Sequence, residues 1–141
     1  MADAALRTKQ VLIVDDEPAV LDVLEEVFKN FRHDHAYAVQ TASNGTDAYV
    51  AFLRARPDLV LLDMNMPGMD GLQLLRQMRA LDARVPIMMV TANENSRAAG
   101  EAQTAGVTAY VPKPFDFRRL DMLVSLVLSS PRGPAGGAAT R

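Results

Sequence analysis

Short apolar runs alternate along this chain with longer segments in which apolar residues recur every three or four positions. Residues 11–14 (VLIV) form a compact apolar run closed by Asp15, long enough for a buried strand and too short for a helix. Pro18 follows where a first helical turn would begin, which suits its fixed φ and missing N–H. Val20, Leu21, Leu24, Val27, Phe28 and Phe31 then recur at helical spacing with Asp22, Glu25, Glu26 and Lys29 between them. That pattern predicts an amphipathic helix with its apolar stripe on a sheet. Residues 37–42 read as a second strand, and Asn44-Gly45 as the turn into a second helix. Its inward face is Ala48, Phe52 and Leu53, and Pro57 stops it. Residues 59–62 (LVLL) are the most continuous apolar run, as expected of a strand covered on both faces, and they end at Asp63.

A turn-rich stretch, 64–71, leads into a third helix through Leu72, Leu75, Met78 and Leu81. Residues 86–90 are the fourth strand, ending at Thr91. Residues 94–105 form a weaker, alanine-rich helix that begins at Glu94, carries an internal Gly100 and is closed by Gly106. A short fifth strand, 109–111, ends near Lys113-Pro114, and 117–128 is the last helix, with Phe117, Leu120, Val124 and Val127 as its core stripe. Strands alternating with helices in this way imply an α/β fold with a doubly wound, five-stranded parallel sheet, because parallel strands need crossover helices. The domain is expected over 9–129, after an N-terminal tail at 1–8. Residues 130–141 lose all periodicity, and their Pro, Gly and Ala content reads as a disordered tail or the start of a linker.

Composition narrows the picture. The 141 residues suit one domain with a real core, and the shares of 49% apolar and 23% charged residues are those of a soluble globular protein. A net charge of −2 supplies no overall basic footprint for nucleic acid. With no cysteine, disulfides, thiol catalysis and cysteine-ligated metals are excluded. No apolar run approaches a membrane span, and residues 1–10 carry charges where a signal peptide needs an apolar stretch; a cytoplasmic location is expected.

In an open α/β sheet, ligands bind beyond the carboxyl ends of the strands. The first strand delivers Asp15 and Asp16 there with Glu17 adjacent, the third Asp63, the fourth Thr91 and the fifth Lys113. Each alone has a plain reading: a helix cap for the acidic trio, a turn aspartate, an N-cap threonine, a solvated lysine. Together they suit one chemistry. Mg2+ takes a few carboxylates plus waters and a phosphate oxygen, an ammonium and a hydroxyl can hold two further phosphoryl oxygens, and a carboxylate is a competent nucleophile for an acyl phosphate.

Over residues 9–129 the chain resembles a bacterial two-component response-regulator receiver domain of the chemotaxis-regulator kind. The blocks VLIVDDEPAV, LVLLDMNMPGMDGLQLLRQMR, PIMMVTA and AYVPKPF carry the resemblance. It implies a flavodoxin-like three-layer sandwich of five strands in the order 2-1-3-4-5 with five helices. It also implies that Asp63 is the phosphoacceptor. Asp16 and Asp63 would be direct Mg2+ ligands, Asp15 a ligand mostly through water, and the backbone carbonyl of Asn65 the last protein ligand; Mn2+ could substitute. Thr91, Ala92 and Lys113 would contact the phosphoryl group, Lys113-Pro114 would be a cis peptide, and Thr91 with Tyr110 would form the switch. Asn65 and Asn93 would set the rate of autodephosphorylation, and the chain would not be a turnover enzyme.

The partners implied are a sensor histidine kinase or histidine phosphotransfer protein as donor, and a downstream protein target or second copy on the helix 4–strand 5–helix 5 face. On the last helix that surface would be Arg119, Met122 and Leu126, with no direct contact to nucleic acid or membrane. His33 and His35, in a polar loop, read as solvated. Among competing readings, a haloacid-dehalogenase-like phosphatase needs a second aspartate where this chain has Asn65. A flavodoxin-like electron carrier needs a phosphate-cradling first loop where it has Asp-Asp-Glu-Pro. A receiver fold used for binding alone has no need of the full acceptor set. An N-terminal fragment of a larger multidomain regulator stays open.

Overall fold

Period-two alternation along buried strands decides which helix layer each core side chain meets. The structure is a computed structural model and describes residues 8–66, 69–92 and 96–129. Asn93, the expected helix start at Glu94, the tail up to residue 7 and the tail from residue 130 lie outside the described residues.

The elements are β1 (Thr8–Val14), α1 (Pro18–Asn30), β2 (Ala36–Ala42), α2 (Gly45–Ala55), β3 (Leu59–Leu62), α3 (Gly71–Leu81), β4 (Ile87–Thr91), α4 (Ser96–Thr104), β5 (Ala109–Pro112) and α5 (Phe117–Ser129). β1 thus begins at Thr8, one residue inside the expected N-terminal tail, because Thr8 pairs with Ala36. All ladders of the main sheet are parallel, and the spatial order is β2-β1-β3-β4-β5. Asn65–Met66 and Met69–Asp70 form a separate two-residue antiparallel ladder in the loop after β3.

Leu12, Val14, Val60, Leu62, Ile87 and Met89 point to one face, into a cluster with residues of α2, α3 and α4. Val11, Ile13, Leu59, Leu61, Met88 and Val90 point to the other, against Leu21, Leu24 and Phe28 of α1 and Leu120 and Val124 of α5. Three helices therefore cover one face of the sheet and two the other.

Local chemistry sets the ends of the helices. The Asn44 side chain caps α2 by accepting from the Asp47 N–H at 2.8 Å, and Asp70 caps α3 by accepting from the Leu72 N–H at 3.0 Å. After α4 the chain turns through Gly106 at φ +99°, a conformation glycine adopts at no steric cost.

Three expected core residues lie outside the core. Leu53, Leu81 and Phe117 are exposed. Leu53 sits a further 100° round α2 from the buried Phe52. Leu81 and Phe117 are terminal residues of their helices.

Candidate functional site

Three backbone hydrogen bonds carry the sheet one residue beyond its strands and aim the site residues at the carboxyl edge. The Asp15 N–H donates to the Ala42 carbonyl at 3.1 Å, and the Asp63 N–H to the Val14 carbonyl at 2.9 Å. The Lys113 N–H donates to the Thr91 carbonyl at 2.9 Å. Asp15, Asp63 and Lys113 are thereby locked to the neighbouring strand, not left on a free loop.

The side chains converge. Asp15, Asp63 and Thr91 are the fully buried polar residues among those described, with Asp63 only 5% exposed. One carboxylate oxygen from each of Asp15, Asp16 and Asp63 lies within 4.8 Å of the others. The Lys113 ammonium stands 2.7 Å from Asp15 Oδ2, 3.7 Å from Asp63 Oδ2 and 3.9 Å from Glu17 Oε1. Glu17 holds the N-cap position of α1 without a side-chain capping bond, and its N–H donates to Asp15 Oδ1 at 2.9 Å. Asp15 therefore spends one oxygen on the loop and the other on Lys113.

Burial alone would lower the pKa of Lys113. The hydrogen bond to Asp15 and the charges of Asp63, Asp15 and Glu17 outweigh it and hold the pKa above the ordinary lysine value. One ammonium among four carboxylates leaves a net negative pocket, open to solvent on the side of Glu17. A donor set of hard oxygens, too few to close a cage, fits Mg2+ or another hard divalent cation.

Thr91 ends β4 on the face that carries Ile87 and Met89, and Tyr110, opposite Met89 in the register, is half-buried on that same face. The Lys113–Pro114 peptide bond is cis. Val20, Ala92, Pro114, Phe115 and Phe117 line an apolar recess of about 430 Å³ beside Lys113. On α5, Arg119, Met122 and Leu126 are exposed, turned away from Leu120 and Val124. α4 buries Ala102 and has no large apolar side chain over Ser96–Thr104.

One residue of the site escaped the sequence reading. A Cβ on Gly71 would meet the Asp63 carbonyl oxygen and the Met64 Cα at 2.6 Å, so the start of α3 presses directly on the backbone that carries Asp63. The available signal was a poor helix former directly after the capping Asp70. His33 corrects an expectation: it is not solvated, and its imidazole is 8% exposed. Its Nε2 lies 2.7 Å from Asp121 Oδ1, its Nδ1 bonds the Tyr37 hydroxyl, and its ring stacks on Phe31. The partner on α5 is 88 positions away, out of reach of any local pattern. His35 is half-buried; burial, then the charges of Lys9 and His33, pull its pKa below the usual histidine value.

Comparison with known proteins agrees with this geometry. A family model described as "Response regulator receiver domain" matches residues 11–125. Sporulation initiation phosphotransferase F of Bacillus subtilis is 35% identical over 111 residues, covering 79% of this chain and 86% of that protein. The regulatory protein AtoC of Escherichia coli is 37% identical over 119 residues, covering 84% of this chain but 25% of that protein. This chain thus spans about a quarter of that relative's length. Among solved structures, a CheY-like response regulator receiver domain protein from Methanospirillum hungatei superposes with a TM-score of 0.79 at 27% identity, covering 86% of this chain and 94% of that one. With the strand order, the acidic edge and these matches together, the chain belongs to the response regulator receiver domain family of two-component systems.

Proposed function

We propose that the chain is a phosphoryl-accepting switch in which Asp63 is the acceptor. One observation carries the reading: Lys113 Nζ lies between Asp15 and Asp63, 2.7 and 3.7 Å away, in a pocket with three carboxylates within 4.8 Å of one another. An Asp63 carboxylate oxygen attacks the phosphorus of a phosphohistidine on a sensor kinase or phosphotransfer protein. The N–P bond breaks, its electron pair stays on the imidazole nitrogen, which takes up a proton, and Asp63 is left as an acyl phosphate.

Asp15, Asp16, Asp63 and the backbone carbonyl of Asn65 would hold Mg2+, or Mn2+ in its place, and the bound ion supplies charge neutralisation for the phosphoryl oxygens. Lys113 neutralises a second phosphoryl oxygen from its position beside Asp63, while the Thr91 hydroxyl and the Ala92 N–H hydrogen-bond the others. Movement of Thr91 toward the phosphoryl group frees space on the face it shares with Tyr110, and Tyr110 turns inward. The thin packing of α4 leaves that helix free to follow. The altered α4–β5–α5 face, with Arg119, Met122 and Leu126, then recruits a protein target. The domain acts in the cytoplasm, without turnover of a small substrate.

A second reading is favoured by the match to AtoC: the chain is the receiver portion of a longer regulator, whose output lies in other domains. Borohydride reduction after incubation with a phosphorylated kinase tests the acceptor. It should convert residue 63, and no other, to homoserine in the mapped peptide. Recovery of the modified residue elsewhere would reject the assignment.

A further inference from the structure

α2 and α3 pack side by side on the face of the sheet opposite α1 and α5, and each runs from the carboxyl edge to the amino edge. Their C-terminal ends therefore stand at the far end of the molecule from Asp63. Three large apolar side chains are exposed toward that end: Val50 (43%) and Leu53 (44%), one turn apart on the outer side of α2, and Leu81 (37%) closing α3. Arg56 joins the two helices. Its guanidinium donates to the Leu81 carbonyl at 3.5 Å and lies 5.6 Å from the Phe52 ring. Arg54, four residues after Val50, and Arg84, three after Leu81, are exposed, and their side chains make no hydrogen bond or ion pair among the described residues. The nearest acids in sequence are turned to backbone groups: Asp58 accepts from the Gln10 N–H, and Asp82 from the N–H groups of Arg84 and Val85. In a chain of net charge −2, this is local positive ground. One cation would complement the dipole at a helix end; three guanidinium groups around three apolar side chains make an apolar centre with a basic rim.

We infer that this surface takes an acidic amphipathic helix of a partner protein. The seam between two packed helices accepts a third, whose apolar stripe meets Val50, Leu53 and Leu81. Carboxylates flanking that stripe meet Arg54, Arg56 and Arg84, and the planar fork of arginine matches a carboxylate with two parallel hydrogen bonds. Charge thus selects an acidic partner, and the apolar centre selects a helix over a plain polyanion. A nucleic acid would meet the arginines and leave the apolar centre uncovered. The surface shares no residue with the carboxyl-edge pocket or with Arg119, Met122 and Leu126, so a partner bound here leaves both accessible.

An NMR titration of the full isotope-labelled chain, without metal or phosphodonor, tests the inference independently of any phosphorylation. The probe is a synthetic amphipathic helix of about four turns, with leucines at i, i+3, i+4 and i+7 and glutamates on either side of them. Amide signals should move at residues 50–56 and 81–84, with a Kd below about 1 mM, and added salt should weaken binding. Arg54→Glu combined with Arg84→Glu should weaken it by about tenfold or more, since two attractions become two repulsions. Leu53→Ser should also weaken it, Leu126→Glu should leave it unchanged, and the same peptide with lysine in place of glutamate should not bind. The substituted side chains are exposed, so thermal melts of the variants should match the parent. Still signals at these amides, equal binding of the lysine peptide, or indifference to the paired arginine reversals would overturn the inference. Movement of the same signals with chain concentration alone would overturn it in favour of a second copy. Saturation by a single-stranded oligonucleotide at lower concentration than by the peptide would overturn it in favour of a nucleic acid.

Discussion

Replacing Asp63 with Asn removes one negative charge from the buried cluster and keeps the side-chain shape, and the structure sets the sign of the result. Asp63 attracts the Lys113 ammonium at 3.7 Å, worth ~4.5 kcal/mol at an effective dielectric of 20. It repels Asp15 and Asp16, whose nearest ligand oxygens lie within 4.8 Å, by at least ~3.5 kcal/mol each on the same scale. Repulsion wins by roughly 2 kcal/mol, and the cost of keeping a charge in a buried position adds in the same direction. Asp16 is half-exposed and its share is screened, so a net gain of about 1–2 kcal/mol is expected in EDTA. With a urea slope of about 1–2 kcal/mol per molar, the midpoint should rise by about 1 M.

The same change at Asp15 should behave differently. At 2.7 Å its attraction to Lys113 rises to ~6 kcal/mol, which nearly cancels the repulsion. Loss of that charge-assisted hydrogen bond then tips the balance to a net loss of stability. Added Mg2+ should raise the midpoint of the parent far more than that of Asp63→Asn if the ion binds the folded state through the proposed site that includes Asp63. A lower midpoint for Asp63→Asn in EDTA, or identical behaviour of the two variants, would refute the reasoning.

Gly71→Ala should cost about 2–3 kcal/mol in urea titrations and slow acyl-phosphate formation, since the new Cβ would meet backbone atoms of Asp63 and Met64 at 2.6 Å that cannot move aside cheaply. Gly100→Ala should do the reverse: nothing lies within 4 Å of the added Cβ, and a gain of about 0.5–1 kcal/mol should appear as a higher melting temperature. Tyr37 provides a pH test. Burial, then the charge of Asp121, raises its pKa from 10.0 to about 12, so its contribution to stability is fully present below pH 10 and is lost as pH rises toward 12. Absorbance titration should show a step near pH 12 that Tyr37→Phe removes.

The convergence of the carboxyl-edge side chains was legible because they sit on strand ends. Asp15, Asp63 and Lys113 each follow an apolar run directly, and a parallel sheet has one carboxyl edge to deliver them to. Helix faces were read less well. A three-and-four spacing defines a stripe but not its limits, so Leu53 next to Phe52, and the terminal Leu81 and Phe117, were assigned to a core they do not enter. Contacts across long sequence separations stayed hidden. His33 meets Asp121 only because the loop before β2 closes on α5, and Gly71 matters only because α3 starts against the backbone of Asp63 and Met64.

Intact-mass analysis of the chain after incubation with Mg2+ and acetyl phosphate, or with a phosphorylated histidine kinase, tests the central claim most directly. A single phosphoryl group should appear on the parent, should be absent from Asp63→Asn, and should fail to form in EDTA. An unmodified parent with both donors, or equal modification of Asp63→Asn, would contradict the assignment of Asp63 as the acceptor.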